Sequence, residues 1–143
     1  MWIGVPKEIK PDEYRVGLTP DSVQEFVAHG HDVIVQTGAG EGINCSDEAY
    51  SVCGAEIAAE ATEVFDRSDM IIKVKEPQAI ERKMLKPDQI LFTYLHLAPD
   101  LAQTRDLVDS GAICVAYETV TNDLGGLPLL APMSQVAGRL SIQ

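Results

Sequence analysis

The chain has 143 residues, 45% of them apolar and 23% charged, the proportions of one globular domain with a substantial core. Its formal net charge is −11, with 11 Lys and Arg scattered among 22 acids, which excludes the basic patch that nucleic acid requires and reads as solubility. Cys45, Cys53 and Cys114 are odd in number and lack C-x-x-C spacing, which argues against a zinc site, or any other metal site, and against a disulfide framework.

The elements follow in chain order. WIGVP reads as a first strand. In LTPDSVQEFVAHG, Thr19 is placed to cap a helix and Pro20 takes its first position. Leu18 and Val23 have the spacing of a hydrophobic staple, Phe26 and Val27 continue the apolar face, and Gly30 ends it. HDVIVQT is a second strand. SDEAYSVCGA repeats the helix logic with Ser46 as cap, Asp47 and Glu48 in the first turn and Gly54 as the stop. DMIIKV, QILFTYL and AICVAY are further strands, and PDLAQTRDLVDSG is a helix between the last two. ETVTNDLGGLPLLAP is the one loop-rich stretch. This alternation predicts an α/β fold, a mainly parallel sheet flanked by helices.

The run TGAGEGIN contains Gly38, Gly40 and Gly42, but the third glycine of a G-x-G-x-x-G phosphate loop would fall where Ile43 stands. The next helix opens later, at its own cap Ser46, so a turn is the expected reading. No apolar run approaches the roughly 20 residues that span a bilayer. The opening MWIGVPKEIK also lacks the layout of a signal peptide, so a cytoplasmic protein with no membrane partner is expected.

In a parallel sheet every strand ends on one edge, and ligands bind in the crevice outside it. Three polar residues fall at or beyond such ends: Lys75 after DMIIKV, His96 after QILFTYL, and Arg15 in the loop beyond the first strand. A guanidinium suits a carboxylate. An ammonium can polarise a ketone oxygen. An imidazole, with an ordinary pKa of about 6.5, can pass a proton at neutral pH. Together they describe a site for a small 2-oxo acid, with the three groups within roughly 10 Å if neighbouring strands carry two of them. The helix after His96 is expected to aim its positive end at the same place.

From end to end the residues also resemble a known family. GVPKEIKPDEYRVGLTP, TGAGEG, KVKEP, LFTYLHLAPD and AYETVTNDLGGLPLLAPMSQVAGRLSIQ are similar to the amino-terminal part of bacterial alanine dehydrogenases. That resemblance implies interconversion of L-alanine with pyruvate and ammonia, NAD as cofactor, and a homo-oligomer. It implies Arg15, Lys75 and Met133 as substrate-binding residues, His96 as the catalytic acid/base, and Ser134 on the NAD side of the cleft. It implies a flavodoxin- or Rossmann-like substrate domain over residues 1–130, with 131–143 starting the linker helix to an NAD-binding Rossmann domain that this chain lacks. The nucleotide-binding subunit of proton-translocating transhydrogenase shares the opening and the glycine loop and is the first alternative. A catalytically silent α/β binding module is the second.

Overall fold

The computed structural model describes residues 1–141. Strands β1 (Trp2–Val5), β2 (Asp32–Gln36), β3 (Glu56–Ala58), β4 (Met70–Ile72), β5 (Ile90–Thr93) and β6 (Ile113–Ala116) form one sheet in the order β3-β2-β1-β4-β5-β6. Every pairing is parallel, as in Gly4 against Ile34 on one side and against Ile71 on the other. This is the Rossmann strand order rather than the flavodoxin one, and its topological switch point lies between β1 and β4.

Helices α1 (Pro20–Ala28) and α2 (Asp47–Val52) cover one face, and α3 (Ala61–Arg67), α4 (Ala79–Arg82) and α5 (Leu101–Ser110) the other. The pleat sorts the side chains. Ile3, Val5, Val33 and Val35 pack with Val23 and Tyr50 on the first face. Ile34, Ile71 and Leu91 pack with Val64, Phe65 and Leu107 on the second. The expected caps are present: Thr19 Oγ1 accepts Ser22 N–H, Ser46 Oγ accepts Ala49 N–H, and Leu18 and Val23 are both buried in one cluster. Strand β3 and helices α3 and α4 are additional to the elements read from sequence. They are short, too short to carry a period, and α3 also has no side-chain cap hydrogen bond.

The strands DMIIKV and QILFTYL end earlier than their apolar runs, at Ile72 and Thr93. Carboxylates accept the backbone amides just beyond both endings. Glu8, just past β1, accepts Val74 N–H at 2.7 Å and Lys75 N–H at 3.3 Å, donors that a longer strand would give to a neighbouring strand. The same carboxylate accepts Lys73 Nζ at 3.0 Å, and Glu81 of α4 accepts it at 2.7 Å. The Lys73 side chain is 0% exposed and both glutamates are 2% exposed. Helix α4 is held in turn by its capping box, with Glu81 Oε2 accepting Gln78 N–H at 2.7 Å. A buried ion triad therefore joins β1, β4 and α4 at the switch point.

Removing one partner of a buried ion cluster leaves uncompensated charge in the interior, which costs far more than the cluster contributes net. Lys73→Met is expected to lower the unfolding free energy by about 3–5 kcal/mol, read from urea unfolding at neutral pH. A loss below about 1 kcal/mol, the scale of a surface ion pair, would show that Glu8 and Glu81 find other donors.

Candidate functional site

The carboxyl edge of the sheet carries the residues of interest. The segment 6–19 runs from β1 to α1 and crosses the end of β4 at Gly17, where a Cβ would lie 2.4 Å from the Ile72 carbonyl oxygen. On its other side the segment rests on the glycine loop, since a Cβ on Gly42 would lie 2.0 Å from the Tyr14 carbonyl oxygen. Gly17 and Gly42 thus fix the backbone on either side of Arg15. The glycines of TGAGEGIN serve backbone contact, as the sequence reading expects of a turn.

Arg15 is gripped by its own loop. Its Nε donates to Glu13 Oε1 at 2.8 Å and its Nη2 to Glu13 Oε2 at 2.5 Å, a bidentate pair. Its backbone N–H adds a third bond to Oε1 at 2.9 Å. This grip turns Nη1 outward, where it meets Met133 Sδ at 3.4 Å. Met133 lies on α6 (Ala131–Leu140), none of whose residues is buried. Of the segment 131–143, Ile142 and Gln143 lie outside the described residues. Ser134 is exposed on the same helix.

Lys75 is half-buried, and its carbonyl accepts Thr93 Oγ1–H from β5 at 2.8 Å. Its ammonium, unlike that of Lys73, enters no ion pair among the described residues. Lys75 and Arg15 both act on Glu13: the Arg15 hydrogen bonds, opposed by burial and helped by the Lys75 charge, hold the Glu13 carboxyl below its ordinary value. His96 is exposed, and its backbone is left-handed at φ 49, a conformation that costs a non-glycine residue about 1–3 kcal/mol. Its ring is stacked on Tyr94, with centroids 6.2 Å apart and planes at 13°. Tyr94 packs edge-on against Tyr117 at 4.9 Å, and Tyr117 edge-on against Phe92 at 4.3 Å. Burial pushes the Tyr117 hydroxyl well above its ordinary pKa, so it stays neutral. Tyr94 also donates its hydroxyl to the Leu129 carbonyl, which ties the loop before α6 to the sheet edge.

The three cationic or titratable groups thus stand on one edge. A cleft of about 400 Å³ beside Arg15 is lined by Lys7, Glu8, Glu13, Tyr14 and the glycine loop. A second hollow of about 390 Å³ is lined by Arg15 and the Met133, Val136 and Leu140 face of α6. Neither takes in Lys75 or His96. The expectation for the helix after His96 also changes: the Asp100 carboxylate accepts Gln103 N–H at 2.9 Å at the start of α5, so the chain itself answers much of that positive end.

The sequence reading missed three glutamates: Glu8, Glu13 and Glu118. Lys73 carries the signal for Glu8, because a lysine inside a parallel-strand apolar run must be buried and so needs carboxylates. Nothing local marks Glu118, which reaches the residues after β5 from the turn after β6.

A dinucleotide pyrophosphate needs a short glycine turn from β1 into a helix N-terminus. Here the switch point is filled by the Glu8 carboxylate and Lys73, and the N-terminus of α1 is capped by Thr19. The described residues do not fit a dinucleotide at that position.

The fold and edge define a doubly wound α/β domain whose switch point is closed by an ion triad and whose exposed groups suit a small anionic substrate. Residues 4–137 match the family model described as alanine dehydrogenase/PNT, N-terminal domain, and the chain belongs to that family. It is 56% identical over 143 residues to an alanine dehydrogenase of Halomonas elongata and 55% identical to one of Methanococcus maripaludis. It is 49% identical to one of Mycobacterium tuberculosis. Each match covers 100% of this chain and 38% of the relative, so the chain spans well under half the length of these proteins. A solved L-alanine dehydrogenase superposes with a TM-score of 0.94 at 48% identity, covering 100% of this chain and 39% of that one. A transhydrogenase from Sinorhizobium meliloti superposes with a TM-score of 0.80 at 24% identity over 85% of this chain and 36% of that one, a likeness of fold.

Because Arg15 lowers the Glu13 pKa in the folded chain, the pair stabilises the fold above the ordinary glutamate value of 4.5. That contribution is lost as pH falls through the lower, folded pKa. Glu13→Gln is expected to lower stability at pH 7 and to flatten the acid limb below pH 4.5, read from urea midpoints across pH. Parallel curves for the two proteins would refute the assignment.

Proposed function

We propose that this chain is the substrate-binding part of an NAD-dependent alanine dehydrogenase, which interconverts L-alanine with pyruvate and ammonia. The observation that carries the reading is the contact of Arg15 with Met133, two residues far apart in sequence, on the same sheet edge as Lys75 and His96. It is supported by the family match and by relatives of 49–56% identity.

In this reading the outward edge of the Arg15 guanidinium holds the substrate carboxylate, while Glu13 keeps that edge turned outward. Lys75 polarises the ketone oxygen of pyruvate. His96 moves the proton as carbonyl and amine interconvert. NAD is the redox partner, held principally by parts of the protein beyond this chain, with Ser134 facing it. Residues 1–130 form the substrate domain and 131–143 the start of the linker. The whole protein is a cytoplasmic homo-oligomer; among the described residues no helix is long and apolar enough to cross a membrane.

The full-length protein is expected to reduce NAD in the presence of L-alanine. His96→Ala should lower turnover by roughly 10²–10⁴, the scale for a positioned acid/base, with a smaller effect on KM. Turnover within a few-fold of the unsubstituted protein would make His96 a surface residue of the loop. Hydride transfer between nucleotides without alanine turnover would favour the transhydrogenase reading. The 143-residue chain alone is expected to give no calorimetric signal with NADH, because its switch point is filled; micromolar binding would contradict that account.

A further inference from the structure

The backbone around His96 is held at several points, and the strongest tie comes from a residue with no role in the reading above. Glu118 lies in the short 3₁₀ turn Tyr117–Thr119 that follows β6. Its Oε1 accepts both His96 N–H at 2.8 Å and Leu95 N–H at 3.1 Å, and its Oε2 is 3.2 Å from the Leu95 nitrogen. On the opposite side of the same peptide unit, the Leu95 carbonyl accepts Gln103 Nε2–H from α5. Both hydrogen-bonding ends of the Leu95–His96 peptide are thereby taken, one by the turn after β6 and one by α5.

The geometry has a consequence at His96. Its φ of 49 lies in the left-handed region that side chains other than glycine avoid, so surrounding contacts must impose it. That backbone turn is compatible with the stacking of the imidazole on Tyr94 at 6.2 Å, exposed at the sheet edge. A longer β5 would instead place the residue after Leu95 in extended backbone, with its N–H directed toward the β4 or β6 ladder. The Glu118 carboxylate replaces that ladder and lets the chain turn one residue after the strand run.

We propose that Glu118 is a positioning residue for His96: by accepting the Leu95 and His96 N–H groups on one carboxylate oxygen, it holds the left-handed turn that presents the imidazole to substrate. This rests on the reading of His96 as the acid/base. Burial pushes the Glu118 carboxyl up, but the N–H groups of His96 and Leu95, with its own, outweigh that and leave it below the ordinary value, so the acceptor is ionised at neutral pH. Glu118 acts through the backbone, and two substitutions separate that role from one of charge. Glu118→Gln keeps an acceptor oxygen at the Oε1 position and removes the charge. Glu118→Asp keeps the charge and draws the acceptor back by one methylene.

The test is steady-state kinetics on the full-length protein with L-alanine and NAD, each substitution also made in a His96→Ala background, with thermal melts as the control for folding. Glu118→Asp is expected to lower kcat by roughly ten- to a hundredfold with KM changed only a few-fold, since a displacement near 1 Å at a catalytic group can cost about 10²-fold. Glu118→Gln should retain most of the activity. In the His96→Ala background Glu118→Asp should have no further effect, because the residue it positions is gone. The opposite order, with Gln more damaging than Asp, would overturn the proposal in favour of an electrostatic role. An undiminished effect of Asp in the His96→Ala background would also overturn it, by showing that Glu118 acts elsewhere. Failure of the underlying reading is seen separately, as normal turnover in the His96→Ala protein itself.

Discussion

The organisation of this domain's functional edge depends on one carboxylate, that of Glu8. It meets three donors at once, the buried ammonium of Lys73 and the backbone N–H groups of Val74 and Lys75. By taking those amides it ends β4, and by neutralising Lys73 it allows a full charge inside the sheet. Lys73 has a second carboxylate, Glu81, which draws α4 against the same point. The position of Lys75, whose own N–H is one of those donors, follows from it. So does the course of the segment bearing Arg15, which begins at Glu8 and crosses β4 at Gly17.

The same device occurs a second time at β5, where Glu118 takes the amides of Leu95 and His96. A third carboxylate, Glu13, grips Arg15. Arg15, Lys75 and His96 thus each have a glutamate acting on the backbone or the guanidinium. An acidic chain is suited to this, since carboxylates are acceptors that can hold strand-end amides and orient cations. The acidity that reads as solubility in composition is, at these three positions, a set of local supports.

The strand order is that of a dinucleotide-binding sheet, yet its switch point is occupied by side chains of its own. Fold and site are separable in this way: parallel connection brings all strand ends to one edge, while the residues just past each strand decide what that edge can hold. Here they leave the Arg15 guanidinium and the His96 imidazole exposed and Lys75 half-buried on one edge, with Arg15 against an exposed helix. In the proposed function this edge meets the small acid and the dinucleotide is bound elsewhere.

Much was legible in the sequence because it is local. The period of WIGVP and HDVIVQT, the staple of Leu18 and Val23 and the caps Thr19 and Ser46 specify strands and helices through interactions a few residues apart. Alternation of those elements then implies a parallel sheet, and with it a shared edge for Arg15, Lys75 and His96. Short pieces such as β3 and α3 have too few residues to carry a period, and packing against their neighbours forms them. The sequence could not decide where β4 and β5 stop, because their apolar runs continue past Ile72 and Thr93; carboxylates 66 and 22 residues away in sequence end them. Nor could it pair Arg15 with Met133, 118 residues apart, or turn the backbone at His96 left-handed. Those features depend on hydrogen bonds between groups that become neighbours only when the sheet has formed, and the tertiary structure alone decided them.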